Sequence, residues 1–448
     1  MKIVLITSFF PPTHTAGTEK RTFGYARQLQ ARGHEVQVVC AGAWEEGDRY
    51  WNGYTDDVYC QIPVRRIHLN WRLAADPNQF LYRNPIIKEK VAQWLARWKP
   101  DVVHVTSCLT LSASVIQAAQ EQRLPVVLTL TDYWFICPRI SLLRADGSLC
   151  AGRTGPQECL ECLMAGSKIY RGLKTMMPPA AAAASLKWLS QHAVFSKRRG
   201  LRGMALDMVD RKAYLAKMIN AADCVTAPSA YLRQLFHASG LTVPIQVIPS
   251  GHDLGWLANM PPKKPARLKR IGYIGQIIPT KGVHTLLAAF ISANLTGQAR
   301  LSIFGSYGQN PAYRRQLEQL AAGQEGIKFC GPFPHDQLGN VLAQLDVLVT
   351  PSVWHENNPR VIQEAFAGKT PVIASDVGGI AEFVQHGVNG LLFERGNAAD
   401  LAGQIRRIVT EPGLLERLQA GIPPVRTMDE EMDEIEQIYQ RLVLAVKS

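Results

Sequence analysis

The chain has 448 residues, 47% hydrophobic and 19% charged, which excludes an intrinsically disordered protein and leaves room for two or three domains with their own cores. Its net charge of +12 is unevenly spread: the window Met164 to Lys217 holds eleven Lys/Arg against two Asp. No motif or interleaved aromatics accompany those charges, so no nucleic-acid partner is expected.

In chain order, Lys2–Thr7 reads as a buried strand rather than a signal peptide, and no run approaches the roughly 18 apolar residues that span a bilayer. The expected location is cytoplasmic. The loop Pro11–Glu19 (PPTHTAGTE) has one glycine, Gly17, and is not the G-x-G-x-x-G of nicotinamide or flavin binding. His14 in this loop is either a solvated or a catalytic histidine. A helix is predicted over Thr18–Arg32 with Gly33 as its stop. Strands follow at Glu35–Cys40, Asp101–Thr106, Pro125–Thr131, Asp223–Ala227 and Gln246–Pro249. Continuous apolar strands alternating with helices predict a parallel sheet covered on both faces. His104, inside one strand, reads as a core or cleft-wall residue.

Nine cysteines without a leader argue against a disulfide framework. Four of them, Cys137, Cys150, Cys159 and Cys162, are separated by 12, 8 and 2 residues. The last pair has metal-knuckle spacing, so the set is either a structural zinc site, with an iron–sulfur cluster as a weaker option, or reduced thiols in a loop. The basic window is either a solvated helical face or a peripheral attachment to the inner face of an anionic membrane. Trp188, Leu189, Val194 and Phe195 beside Lys197, Arg198 and Arg199 would assist such an attachment, and the two readings stand level.

The segment 259–268 (NMPPKKPARL) has no periodicity and reads as a linker. The pattern then restarts with strands Arg270–Ile274, Leu301–Phe304, Lys328–Cys330 and Asp346–Thr350, and helices from Val283 and over Ala312–Ala322. Residues 1–258 form a first domain with an insertion at about 135–217, and residues 269–425 a second. Two such domains make a cleft at their strand C-termini, where open α/β sheets bind ligands.

The densest chemistry lies in WHENNPRVIQEAFAGKTPVIASDVGG, residues 354–379, where seven residues separate Glu356 from Glu364. Asn358 and Pro359 read as an N-cap and a first-turn proline, followed by a helix to Gly368 and a strand Thr370–Ala374. Free amides and a positive helix end between two hydroxyl-binding carboxylates suit a sugar diphosphate. The stretch resembles the E-x7-E signature of family-4 retaining glycosyltransferases, whose fold, GT-B, is α/β with two Rossmann-like domains facing across a cleft. The resemblance implies that Glu356 orients the donor sugar and Glu364 the nucleotide ribose. It also implies that the amides of Arg360 and Val361 cradle the diphosphate beside Asn358, and that residues 426–448 form a helix packing back on the first domain.

The loop from Gly275 to Gly282 resembles the family's G-R-x4-K-G element. Lys281 matches the diphosphate-binding lysine, while Gln276 replaces the arginine, and Arg360 stands where it can compensate. Pro11–Glu19 resembles the P-P-x-x-G-G loop that approaches the donor phosphates, with Ala16 in place of one glycine and Gly17 retained. Thr131 stands where a strand-end histidine is common, followed by Asp132. The implied activity is retaining transfer of a sugar from a nucleotide-diphosphate sugar to an acceptor hydroxyl, without a catalytic metal, in surface polysaccharide or glycolipid synthesis. The acceptor would be a glycan or lipid-linked one. Two rivals remain: a nucleotide-sugar epimerase, and a silent GT-B partner protein, toward which Gln276, Ala16 and Thr131 point.

Overall fold

The computed structural model describes residues 1–447 apart from 153, 166–167, 179, 183, 186–187, 189–203 and 309. Leu189, Val194, Phe195, Lys197, Arg198 and Arg199 therefore lie outside the described residues. Trp188 is described and half-exposed. Among the described residues, no helix is long and apolar enough to cross a membrane.

The chain forms two compact units, Met1–Pro249 with Met428–Ser448, and Ser250–Thr427. The segment 259–268, expected as a linker, lies within the second unit. There Met260 lies against the backbone at Gly339, where an added Cβ would meet Met260 Cβ at 3.0 Å. His252 N–H donates to the Arg426 carbonyl (3.0 Å), tying both ends of that unit together.

In the first unit, an eight-stranded sheet has the order β3-β4-β2-β1-β5-β6-β7-β8. Its strands are β1 (Lys2–Ile6), β2 (Glu35–Ala41), β3 (Trp51–Tyr59), β4 (Ile62–Leu69), β5 (Val102–Val105), β6 (Val126–Thr129), β7 (Cys224–Ala227) and β8 (Ile245–Val247). All pair in parallel except β3, which is antiparallel to β4 and corrects the expectation of a wholly parallel sheet. β3 carries no apolar alternation, and its outer face leaves Tyr54 and Val58 exposed. Arg65 holds it instead, donating from two nitrogens to Asp56 at 2.7 Å each and lying 3.8 Å over the Tyr54 ring.

Successive β1 side chains serve opposite layers, as the two-residue strand period requires. Val4 and Ile6 join one core cluster; Ile3 and Leu5 join another with the helix Gly17–Ala31 and the last helix, Met428–Lys447. That last helix contributes Met432, Ile435, Ile438 and Tyr439, each fully or almost fully buried and each stabilising the packing by about 1.5–3 kcal/mol. Beneath it Arg21 donates to Glu431 Oε1, and Tyr25 Oη donates to the same oxygen at 2.5 Å.

The second unit holds a six-stranded parallel sheet in the order β11-β10-β9-β12-β13-β14. The strands are β9 (Lys269–Ile274), β10 (Ala299–Phe304), β11 (Ile327–Gly331), β12 (Val347–Thr350), β13 (Val372–Ser375) and β14 (Gly390–Phe393). The chain builds outward from β9 to β11, then returns to β12 on the other side of β9. The loops after β9 and β12 thus diverge at a topological switch point, where open α/β sheets leave a crevice.

Candidate active site

At that switch point the structure brings Lys281 and Glu356 together. Lys281 ends a 3-10 turn after β9, and Glu356 lies in the loop after β12. Lys281 Nζ donates to Glu356 Oε1 at 2.6 Å. The same oxygen accepts from Ser352 Oγ at 2.5 Å and Trp354 Nε1 at 2.9 Å. Burial alone would raise the Glu356 carboxyl, but the Lys281 charge and these donors outweigh it and hold it below the ordinary range. Lys281 Nζ also lies 5.1 Å from the Trp354 ring centroid. With three donors on Oε1, Oε2 is the carboxylate oxygen left to meet a ligand hydroxyl.

Two glycines make this approach possible. Gly282 has φ +70° and a Cβ there would lie 1.8 Å from the Pro351 carbonyl, so only glycine lets the lysine loop close on the end of β12. Gly378 has φ +63° and a Cβ would lie 2.5 Å from the Glu356 carbonyl. Its neighbour Gly379 donates to that carbonyl at 2.6 Å.

The helix that follows spans Arg360–Ala367, with extended Pro359 as its N-cap and no side-chain cap. Asn358, expected as the cap, instead donates through Nδ2 to Ser250 Oγ at 2.5 Å; Pro359 cannot donate and delays the helix by a residue. The N–H groups of Arg360 and Val361 precede the first intrahelical bond and are available to an anion. Arg360 Nη2 lies 3.7 Å from Glu364 Oε1 one turn along, and the buried Arg360 Nε has no hydrogen-bond partner. Buried guanidinium donors normally find an acceptor, so this nitrogen is a donor that an anionic ligand could use. Glu364 is buried beside it. Gln276 is exposed in the loop after β9, with its carbonyl held by Tyr273 Oη at 2.6 Å.

Gly17 belongs to the first unit, where it opens the first helix and an added Cβ would meet nothing within 4 Å. His14 is exposed, stacked 4.0 Å from Phe9. His104 is a core residue: its Nδ1 pairs with Tyr439 Oη at 2.6 Å and its Nε2 with Thr129 Oγ1 at 2.7 Å, and burial pushes it down to about 3. Thr131 donates to the Thr106 carbonyl at 2.9 Å.

The sequence reading missed one acidic pair in this unit. Glu19, on the first helix, and Asp132, after β6, interact electrostatically. Glu19 is buried with no hydrogen bond to its Oε2, and burial raises its carboxyl. Asp132 Oδ1 accepts from Trp134 N–H at 2.8 Å, and burial followed by the nearby Glu19 charge outweighs that bond and the Arg211 charge, pushing the carboxyl up to about 6. The native state therefore holds the Asp132 proton more tightly than the unfolded chain between about pH 4 and 6. Its contribution to stability falls as pH rises through that window and stays low above it. Asp132→Asn, which keeps the acceptor for Trp134, should stabilise the protein at pH 8 by at most about 3 kcal/mol and flatten the pH 4–6 slope. Thermal unfolding between pH 4 and 8 checks this; identical slopes in both proteins would contradict it.

Cys137, Cys150, Cys159 and Cys162 are free thiols lining one cavity of the first unit. Among the described residues, no three His, Cys, Asp or Glu side chains are drawn into a ligand shell.

Residues 260–422 match the family model "Glycosyl transferases group 1", and residues 16–157 match "Glycosyl transferase 4-like domain". Two separate stretches of the chain thus resemble glycosyltransferase domains. It is 35% identical over 159 residues to a D-inositol 3-phosphate glycosyltransferase of Streptomyces bingchenggensis, covering 33% of this chain and 34% of that one. It is 33% identical over 156 residues to the 2-deoxystreptamine glucosyltransferase of Streptomyces kanamyceticus, covering 34% and 39%. The chain thus spans little more than a third of either relative. A match to the glycogen synthase of Mycobacterium tuberculosis is 26% identical and covers 100% of this chain and 95% of the relative. Among solved structures, sucrose-phosphate synthase of Thermosynechococcus elongatus has a TM-score of 0.65 at 20% identity, covering 99% of both chains. Anabaena HepE in complex with UDP and glucose has a TM-score of 0.64 at 19% identity, covering 98% of this chain and 99% of that one. The shared fold is GT-B.

Proposed function

We propose that this protein is a retaining glycosyltransferase that moves a hexose from a nucleotide-diphosphate sugar to an acceptor hydroxyl. The observation that carries the proposal is the convergence of a charged Glu356–Lys281 pair and an uncapped helix start at the switch point of the second unit. Glu356 Oε2 would accept from sugar hydroxyls and Glu364 from the ribose, while Lys281, Arg360 and the amides of Arg360 and Val361 take the diphosphate. Asn358 would bound that cradle from its bond to Ser250. The anomeric carbon–phosphate oxygen bond breaks as the acceptor oxygen bonds the same face, and the acceptor proton passes to the departing diphosphate. Those fixed cations and dipoles stabilise the leaving charge without calling on a metal. Fold neighbours in complex with UDP, UDP-glucose and ADP support a nucleotide-sugar donor.

Acceptor hydroxyls fit the Glu19–Asp132 pair of the first unit, with Gly17 at the mouth of its loop. The basic window around Arg171 and Lys212 suits a lipid-linked or glycan acceptor at an anionic membrane surface, as in polysaccharide or glycolipid synthesis. Incubation with single UDP-, GDP- and ADP-sugars, following nucleoside diphosphate release, tests the reading. Slow release from one donor is expected. Conversion to an isomeric nucleotide sugar would mean an epimerase, and tight binding without turnover in the presence of lipid extract would mean a silent partner. Arg360→Leu should weaken binding of the active donor's nucleoside diphosphate about tenfold, roughly 1.4 kcal/mol, as calorimetry would read; unchanged affinity would remove Arg360 from the cradle.

A further inference from the structure

The thiol cavity is lined by none of the groups assigned above and carries its own chemistry. All four clustered cysteines contribute to the lining of one cavity of about 270 Å³. Cys159 and Cys162 stand three residues apart on the helix Pro156–Met164, a spacing that puts both on one face. Cys150 comes from the short segment between Gly147 (φ +84°) and Gly152 (φ +74°), and Cys137 from the loop after β6. Beside them is Arg211, 7% exposed, within electrostatic reach of Cys137 and Cys159. Its guanidinium donates to the Trp134 carbonyl and lies 5.3 Å over the Trp134 ring, yet among the described residues no carboxylate forms an ion pair with it.

The Asp132 charge reaches Arg211 electrostatically but not at ion-pair distance, and a buried cation so weakly compensated is costly. Four neutral thiols do not relieve it, whereas thiolates bound to a divalent ion do. A tetrathiolate zinc centre carries a net charge of about −2, and Arg211 offsets half of it. We infer that Cys137, Cys150, Cys159 and Cys162 bind one structural zinc ion, which pins residues 137–162 to the loop that ends in Trp134. Among the described residues the thiols do not form a ready ligand shell, so binding requires their side chains to turn toward a common centre. Each cysteine has a single side-chain torsion to turn, and the glycines flanking Cys150 let its segment follow. Binding releases the thiol protons to solvent and changes no oxidation state.

The test is metal analysis of the full chain purified from zinc-supplemented cells, joined to thiol labelling. The expected result is about one zinc per chain, falling at least tenfold in Cys159→Ser/Cys162→Ser and unchanged in Cys60→Ser, whose thiol is exposed and outside the cluster. In the unmutated protein, iodoacetamide should label Cys159 and Cys162 at least tenfold more slowly than Cys224 and Cys330, which are equally half-buried; a zinc chelator should abolish that difference. The labelling arm holds even if the double variant does not fold. Less than a tenth of an equivalent of zinc, iron with inorganic sulfide in its place, full zinc retention in the double variant, or equal labelling rates would each overturn the assignment.

Discussion

Replacing Lys281 with alanine is expected to lower kcat for sugar transfer by about 10²–10³-fold, the usual cost of removing a fixed charge-stabilising donor. The element around it supports no substitute: Gln276, in the same loop, is uncharged, and the exposed position of its side chain leaves Lys281 the sole cation of that loop. Lys281 is bound to Glu356 Oε1 at 2.6 Å, so a donor diphosphate would share the lysine with this contact. The mutation also leaves Glu356 buried with only Ser352 and Trp354 as donors, and its carboxyl should then drift back up as burial loses its counterweight. The loss of rate should therefore be greatest at the acid end of the pH profile. Steady-state kinetics against pH reads this directly. A Lys281→Ala protein with unchanged kcat and a lowered melting temperature would make the lysine structural only. Because Lys281 and Glu356 act as one unit, the double variant should be little worse than the poorer single one.

Glu431→Ala is the largest expected stability effect. Glu431 is fully buried in the first turn of the last helix, taking a hydrogen bond from Tyr25 Oη at 2.5 Å and an ion pair from Arg21. Arg21 also donates through Nε to Tyr25 Oη at 2.8 Å. Removing one member of such a pair strands the other charge in the core and costs about 3–5 kcal/mol, on the order of 10 °C in the melting temperature for a unit of this size. The apolar replacement of both partners, Arg21→Met with Glu431→Leu, should recover most of that loss, since it removes the stranded charge along with the bond. Thermal unfolding of the single and double variants decides: equal and additive losses would mean that the pair is not coupled. The exposed network nearby, Arg32 with Asp429, Asp433 and Glu436, should contribute far less per bond.

The second unit was largely legible in the sequence because buried parallel strands are plain apolar runs. Val347–Thr350 and Val372–Ser375 stand out with no help from context, and the intervening Glu356, Pro359 and Glu364 mark a loop and a helix start. What was hidden depended on tertiary pairing. Nothing local signals that Asn358 reaches Ser250, more than a hundred residues away, nor that Ser352 and Trp354 aim at the same carboxylate oxygen as Lys281. The β3–β4 hairpin escaped because Trp51–Tyr59 has a glycine and two aspartates and no alternation, its hold coming from Arg65 on the partner strand. Glu19 and Asp132 are 113 positions apart in the sequence and meet because the sheet order brings β1 and β6 to either side of β5. The one sequence signal for them is that both follow strand ends, Glu19 close behind Gly17 and Asp132 directly after Thr131.

Hydrogen-exchange mass spectrometry with and without the nucleoside diphosphate of the active donor locates the donor site most directly. Protection is expected in the loop 275–282, in 352–361 around Glu356 and Arg360, and in 376–380 behind Gly378, with the far side of the second unit unchanged. Protection confined to other segments, at a ligand concentration that saturates binding, would contradict the assignment of the switch-point crevice as the sugar-nucleotide site.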